Sequence, residues 1–156
     1  MTIAAKLKAY LDQRGVAYEV VSHPPAGSSL RTAEAAHLPG HRLAKAVVVS
    51  DEQGPLVVVV PAPHQVDLGG LHRQLGRRLG LATEPEVAGL FPDCDPGAAP
   101  ALGEAYGLET LWDRALLEAP EIFLEGGDHQ TLVRISQAEL QKVLGPAQSG
   151  RFSHAR

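Results

Sequence analysis

The sequence predicts an α+β fold, a single compact domain in which helices surround a mixed, mostly antiparallel β-sheet. Three observations carry that expectation. The chain has 156 residues, 44% hydrophobic and 21% charged, which is the size and balance of one domain with one core. Two β-branched runs, "KAVVVS" and "PLVVVVP", are joined by the short polar segment "DEQG", a hairpin signature. Helical stretches are scattered among the strands rather than alternating with them, which argues against a repeated βαβ unit.

The elements follow in chain order. Ile3, Leu7, Tyr10 and Leu11 share one face of an amphipathic helix over 3–13 that ends near Gly15. "VAYEVVSH" predicts a strand from Val16 to His23, stopped by Pro24 and Pro25. A short helix is expected over Thr32 to Ala36, with Thr32 as its cap. Both hairpin runs are continuously apolar, so they belong in the middle of the sheet, covered on both faces. Asp67 caps a helix to about residue 75, and "TEPEVAGLF" adds a short one at about 84–90. Phe91 to Gly107 is interrupted by prolines and glycines yet rich in small apolar residues, which predicts an ordered loop packed on the body. "LETLW", "EIFLEGG" and "HQTLVRIS" predict strands, "GGDH" a turn, and Asp113 opens one or two helical turns. A last helix at 137–144 carries Ser136 and Glu139 at capping-box spacing. The expected domain spans 1–145, and 146–156 is expected to be a flexible, frayed tail.

Composition narrows the function. The formal net charge of −4 argues against gripping long nucleic acid by bulk charge, although a small basic patch could still hold an RNA end. Aromatic residues are only 4%, too few for a surface that stacks many bases. The longest apolar runs fall far short of a membrane span, and the N-terminus has no secretory h-region. The single cysteine, Cys94, permits no internal disulfide. The plain expectation is cytoplasmic. No phosphate-binding glycine loop and no G-x-S-x-G elbow is present.

Three features could carry chemistry. Lys45 opens an apolar strand. A lysine there either snorkels to solvent or points into a cleft at the strand end as a compact cation for a phosphate or carboxylate. "DPGAAP", Asp95 to Pro100, combines a permissive Gly97 with Ala98 and Ala99, whose small side chains leave backbone N–H groups uncovered. Such a loop can face a developing oxyanion or can be a plain turn. His129 follows a Gly-Gly turn and suits a general base, a substrate ligand or a surface position. His37 and His41 are four apart, but Pro39 and Gly40 break any helix that would align them on a metal. Cys94 lies between two aspartates, which raise a thiol pKa and weaken a nucleophile.

Taken together and in order, the motifs resemble a family. "HPP" at His23 to Pro25 is followed by "TAEAA" at Thr32 to Ala36, then "LAKAVVV", "LVVVVPAPHQVDL" and "LGRRLGLATEPEV". The loop "DPGAAPALGEAYGL" comes next and "EIFLEGGDHQTLVRIS" last. Over about Tyr18 to Leu144 the chain resembles the YbaK and prolyl-tRNA-synthetase-associated editing domains, which are aminoacyl-tRNA deacylases. The resemblance implies hydrolysis of the ester that joins a wrong amino acid to the 3′ end of a tRNA. It implies that Lys45 holds the terminal adenosine region or positions the ester, and that the Gly97-Ala98-Ala99-Pro100 loop lines the pocket and orients the substrate. On the same resemblance Lys45, Gly97, Ala98, Ala99 and His129 are assigned to catalysis. Lys45, Ala46, Pro100, His23 and Thr32 are assigned to substrate binding.

The resemblance implies no metal and no organic cofactor, and a ribose hydroxyl of the substrate that helps activate water. The implied partner is the 3′ end of a mischarged tRNA, shared with a synthetase or elongation factor, and neither membrane nor DNA. Without a synthetase body, the chain would act in trans. Two departures stand out. Ala46 follows the lysine where several members carry a polar residue, and the loop has the G-x-x-P form of many free-standing members. Rival readings are a non-catalytic module for a tRNA 3′ end or aminoacyl-adenosine, a hydrolase of nucleotides or small esters, and a plain interaction domain.

Overall fold

A computed structural model of the chain describes residues 3–26, 28–144 and 148–155. The main sheet has the order β1-β8-β7-β2-β3-β6-β9, with β5 pairing β2 beside it. Its strands are β1 (Glu19–Ser22), β2 (Leu43–Asp51), β3 (Gly54–Pro61), β5 (Gly80–Leu81), β6 (Thr110–Asp113), β7 (Glu121–Glu125), β8 (Thr131–Ser136) and β9 (Gln148–Gly150). A separate two-stranded ribbon joins β4 (His64–Val66) to β10 (Ser153–Ala155). The helices are α1 (Ala5–Gln13), α2 (Ser29–Ala35), α3 (Leu68–Leu75), α4 (Glu84–Leu90), α5 (Arg114–Leu117) and α6 (Gln137–Leu144).

The β2–β3 hairpin is the centre of the sheet, as its unbroken apolar runs require. The pairing runs from Ala44 opposite Pro61 to Asp51 opposite Gly54. Alternate residues feed two cores. Val57 and Val59 pack with Leu7, Leu11, Phe91, Trp112, Leu116 and Leu140 on one face. Val58 and Val60 pack with Leu71, Leu111 and Phe152 on the other, where Leu43, Phe123, Leu132 and Ala33 continue the layer towards α2. The hairpin turn is locked by Arg77, whose Nε and Nη2 both donate to the Asp51 carboxylate, at 2.9 and 2.5 Å. That fork holds Asp51 below the ordinary carboxylate range.

Several boundaries differ from expectation. α2 starts earlier than Thr32, because Ser28 supplies the cap and accepts from the Arg31 N–H. Thr32 is thereby moved inside the helix and fully buried. The Ser136 hydroxyl does accept the Glu139 N–H, but the Glu139 carboxylate is taken by the Ala17 N–H and Lys142. The reciprocal capping box is found instead at Thr83 and Glu86 of α4.

The tail is corrected. Residues 148–155 carry two strands, β9 beside β6 and β10 beside β4. Phe152 between them is 2% exposed. Asp113 ties this segment down, since its Oδ2 accepts from the Phe152 N–H and the Ser153 hydroxyl while Oδ1 caps α5. A short edge segment can be ordered by one anchored aromatic and one buried carboxylate, neither of which shows in local periodicity. Phe152→Ala is therefore expected to cost about 3–5 kcal/mol, the usual price of emptying a buried aromatic site. Urea unfolding measures it, and a change below about 0.5 kcal/mol would return the tail to a peripheral role. Among the described residues no helix is long and apolar enough to cross a membrane.

Candidate active site

The site is assembled where β2 begins and β7 ends. The two strands run parallel, with Leu43 beside Phe123 and Ala44 beside Leu124. Leu43 and Phe123 share one core layer. Two residues further along each strand, alternation returns Lys45 and Glu125 to that same face. Lys45 is half-buried, and its Nζ donates to the carbonyls of His64 at 2.8 Å and Ala62 at 3.2 Å. The lysine thus clamps the connection between β3 and β4 as well as marking the strand end. A freely snorkelling head is not what the geometry gives.

Glu125 was not singled out by sequence reasoning. It is 2% exposed, and burial pushes its carboxyl up to about 7, against a smaller lowering by His129 and the Thr32 hydroxyl. The signal was available: "EIFLEGG" ends an apolar strand on an acid, as "LAKAVVV" begins one on a base. A local reading treats Glu125 as the solvated first residue of a turn. Only the sheet order, with β7 between β8 and β2, buries it.

The turn from β7 to β8 positions His129. At Gly126 an added Cβ would stand 2.8 Å from the Thr131 carbonyl oxygen, so only glycine fits there. The Asp128 carboxylate accepts the Gln130 N–H and the Thr131 hydroxyl, both at 2.9 Å. His129 is consequently held at φ 60°, an uncommon conformation for a residue with a side chain. It lies in the turn, so β8 begins at Thr131 rather than at His129. Its Nε2 bonds the Pro96 carbonyl. A carbonyl only accepts, so Nε2 carries the proton and Nδ1 is the second, buried ring nitrogen.

The 95–100 loop meets His129 from the other side. Gly97 has φ 80°, and an added Cβ would lie 3.3 Å from His129 Cε1. The positive φ favours glycine, and a side chain there would require the His129 ring to give by a few tenths of an ångström. Gly97→Ala is expected to cost about 1–2 kcal/mol from the positive φ and to displace the imidazole, read by thermal unfolding together with the His129 ring NMR signal. An unmoved ring would remove the steric part of this account. The loop is ordered, as expected: Ala98 and Pro100 are buried, and the Asp95 N–H donates to Gly127 O at 2.7 Å. The Ala98 N–H donates to Asp95 O at 3.1 Å and is already used within the turn. Of the amides read as oxyanion donors, those of Gly97 and Ala99 have no backbone partner among the described residues.

The remaining residues fall into place around this turn. His23 is buried, its N–H donates to Gln130 O at 2.9 Å, and its Nδ1 lies 2.7 Å from Pro24 O. The Ala26 N–H donates to His129 O at 3.2 Å. Thr32 reaches Glu125 from α2. Ala46 points to the opposite face from Lys45, packing with the core that holds Val57 and Trp112. The structure thus brings Thr32 and His129 to Glu125, sets Gly97 against the His129 ring, ties His23 to the same turn through Gln130 O, places Lys45 one residue beyond the Ala44–Leu124 pair, and turns Ala46 away. On its α4 side the loop borders an apolar groove of about 540 Å³ lined by Ala82, Pro85, Val87, Phe91, Gly97 and Ala99. Cys94 also lines it, but burial first, and then Asp93, push its thiol up to about 12. It is no nucleophile at neutral pH.

Comparison with known proteins now adds to this geometry. The model of the aminoacyl-tRNA editing domain family matches residues 23–143, a stretch that contains every residue of the site. The chain belongs to that family. No curated protein matches it by sequence. Among solved structures, it is similar to one described as a candidate trans-editing enzyme for prolyl tRNA synthetase, at 28% identity and TM-score 0.84, covering 97% of each chain. It is also similar to a scaffold protein used for computational epitope backbone grafting, at 26% identity and TM-score 0.83, covering 98% of this chain and 97% of that one. A third match, to a candidate signal transduction protein from Marinobacter aquaeolei VT8, has 22% identity and TM-score 0.75. It covers 95% of this chain and 30% of the other, and shows the fold alone.

Proposed function

We propose that this protein is a trans-editing hydrolase that removes a wrong amino acid from the 3′ end of a tRNA. The observation that carries the proposal is the family match over 23–143, because those residues build the whole constellation around Glu125 and His129. The similar trans-editing structure supports action on a tRNA charged by prolyl-tRNA synthetase; in this reading a synthetase or elongation factor shares the tRNA. The setting would be the cytoplasm, where charged tRNA is found.

In this reading water adds to the ester carbonyl, the carbonyl oxygen gains negative charge, and the ribose oxygen leaves with a proton. The N–H groups of Gly97 and Ala99 stabilise the developing charge, because preorganised donors cost no reorganisation as charge appears. Lys45 orients the adenosine or its phosphate. His129 seats the loop through its Nε2–Pro96 bond, and a ribose hydroxyl of the substrate helps to direct the water. His23, Thr32 and Pro100 shape the wall of the substrate site. Ala46 acts only through the backbone, its side chain being turned away. The groove beside α4 is in the size range of ordinary ligand pockets. Exclusion of large amino acids would therefore come from the crowded His129 side of the loop. One methylene of discrimination is worth about 1–3 kcal/mol, so tRNA features would add to selectivity.

Deacylation of a panel of mischarged tRNAs tests the proposal. Release of one amino acid at least tenfold faster than the uncatalysed rate is expected. No release from any tRNA by folded protein would overturn hydrolysis, and tight binding in the same samples would establish the non-catalytic module instead.

A further inference from the structure

The lysine head stands at one end of a continuous relay of hydrogen bonds. Lys45 Nζ donates to the His64 carbonyl at 2.8 Å. The imidazole of that same residue holds Nδ1 2.9 Å from the Ser153 hydroxyl. The hydroxyl in turn lies 2.7 Å from Asp113 Oδ2. The relay passes from β2 to β4, then to β10 and β6. Its far end is firm. Asp113 is buried, its Oδ2 also accepts the Phe152 N–H at 3.1 Å, and its Oδ1 accepts the Ala115 N–H at 3.0 Å.

Proton counting gives each bond its direction. A serine hydroxyl has one proton to donate. If that proton went to His64, acceptor lone pairs would face each other across the 2.7 Å between Ser153 Oγ and Asp113 Oδ2. It therefore goes to Asp113, Ser153 Oγ accepts, and His64 Nδ1 donates to it. The ring is thereby fixed in one tautomer and one orientation. The strands favour the same contact. His64 stands opposite Ala155 and Ser153 opposite Val66, so His64 and Ser153 are diagonal neighbours on one face of the ribbon. A two-stranded ribbon of this length gains little from its own ladder, and the buried Asp113 supplies the missing anchor.

We infer that His64 and Ser153 are positioning residues of the site, which hold the β3–β4 connection and, through the His64 carbonyl, fix where the Lys45 ammonium stands. The inference rests on the editing reading above for what Lys45 does to substrate. An ammonium on a flexible four-carbon stem points where its acceptors direct it. Ala62 O, at 3.2 Å from Nζ, belongs to the same connection, so a shift of that connection displaces both acceptors together. Ser153 lies beyond residue 143, where the family match ends. The closing segment of the chain thus completes a site whose other residues lie within the match.

Ser153→Ala and His64→Ala break the relay from either side, and neither removes the backbone carbonyl that Lys45 uses. The test compares both with wild type by nitrogen NMR of the Lys45 ammonium and the His64 ring, and by single-turnover deacylation. At alkaline pH the wild-type His64 ring is expected in the Nδ1–H form. In both variants the Lys45 ammonium signal should shift and broaden. Deacylation at saturating protein should fall about tenfold, with tRNA binding nearly unchanged, as a displaced positioning group requires. The double variant should lose no more than the worse single one, because the two side chains act through one relay. Ser153→Thr, which keeps the hydroxyl, should restore both the signal and the rate. An Nε2–H ring in wild type, or an unmoved Lys45 signal in either folded single variant, overturns the inference. Lower stability with Lys45 unmoved overturns it equally, since the ribbon would then be a structural support alone. The ammonium signal decides the matter even if the wild-type protein deacylates no tRNA, in which case the editing reading falls by itself.

Discussion

Lys45→Met is expected to lower deacylation by about 100-fold, the scale of loss when a positioning contact is removed or displaced by an ångström. Methionine keeps the apolar stem against the sheet and removes the ammonium. The same change removes the donors to Ala62 O and His64 O. Charge-assisted bonds of this kind contribute about 1.5–3 kcal/mol to stability, so a drop of about 2 kcal/mol in urea unfolding should accompany the loss of rate. The two effects can be separated. At temperatures where the variant is fully folded, single-turnover deacylation reports only the role at the substrate. A rate within a factor of two of wild type there would make Lys45 a clamp of the β3–β4 connection and nothing more.

Glu125→Gln is expected to stabilise the protein at alkaline pH and to leave it nearly unchanged near pH 5. Burial raises the native carboxyl to about 7 from an ordinary value of 4.5. Between those values the folded protein holds a proton that the unfolded chain has released. Stability contributed by this group is therefore complete below the unfolded pKa and is lost as pH rises through the native one. At about 1.4 kcal/mol per pKa unit, the full loss approaches about 3 kcal/mol by pH 8. Glutamine carries no such penalty, so the difference between variant and wild type should grow from pH 5 to pH 8 in urea melts. A difference independent of pH would show that Glu125 is not buried as a titrating acid.

Cationic and anionic strand ends were unequally legible. The apolar runs on either side of "DEQG" determine the central hairpin from sequence, because strands apolar on both faces have nowhere else to go. Lys45 stands out because a lysine at the mouth of such a run is conspicuous, and "DPGAAP" because bare backbone in an apolar loop is unusual. His129 was visible as a residue but not as a conformation. Its positive φ follows from Asp128 bonding the backbone two residues on, and its orientation from Pro96, more than thirty positions away in the chain.

The sequence by itself determined the class of fold, the central strands, the family motifs and most of the residues that surround the site. Those depend on local period, turn chemistry and composition, which are written along the chain. The tertiary structure alone decided that the tail is part of the sheet and that Ala46 faces away from Lys45's side. It alone made Glu125 the buried neighbour of Thr32 and His129. Burial and partnership of a polar group depend on which strand lies beside which. Pairing β7 with β2 in parallel is a long-range choice that no local pattern specifies.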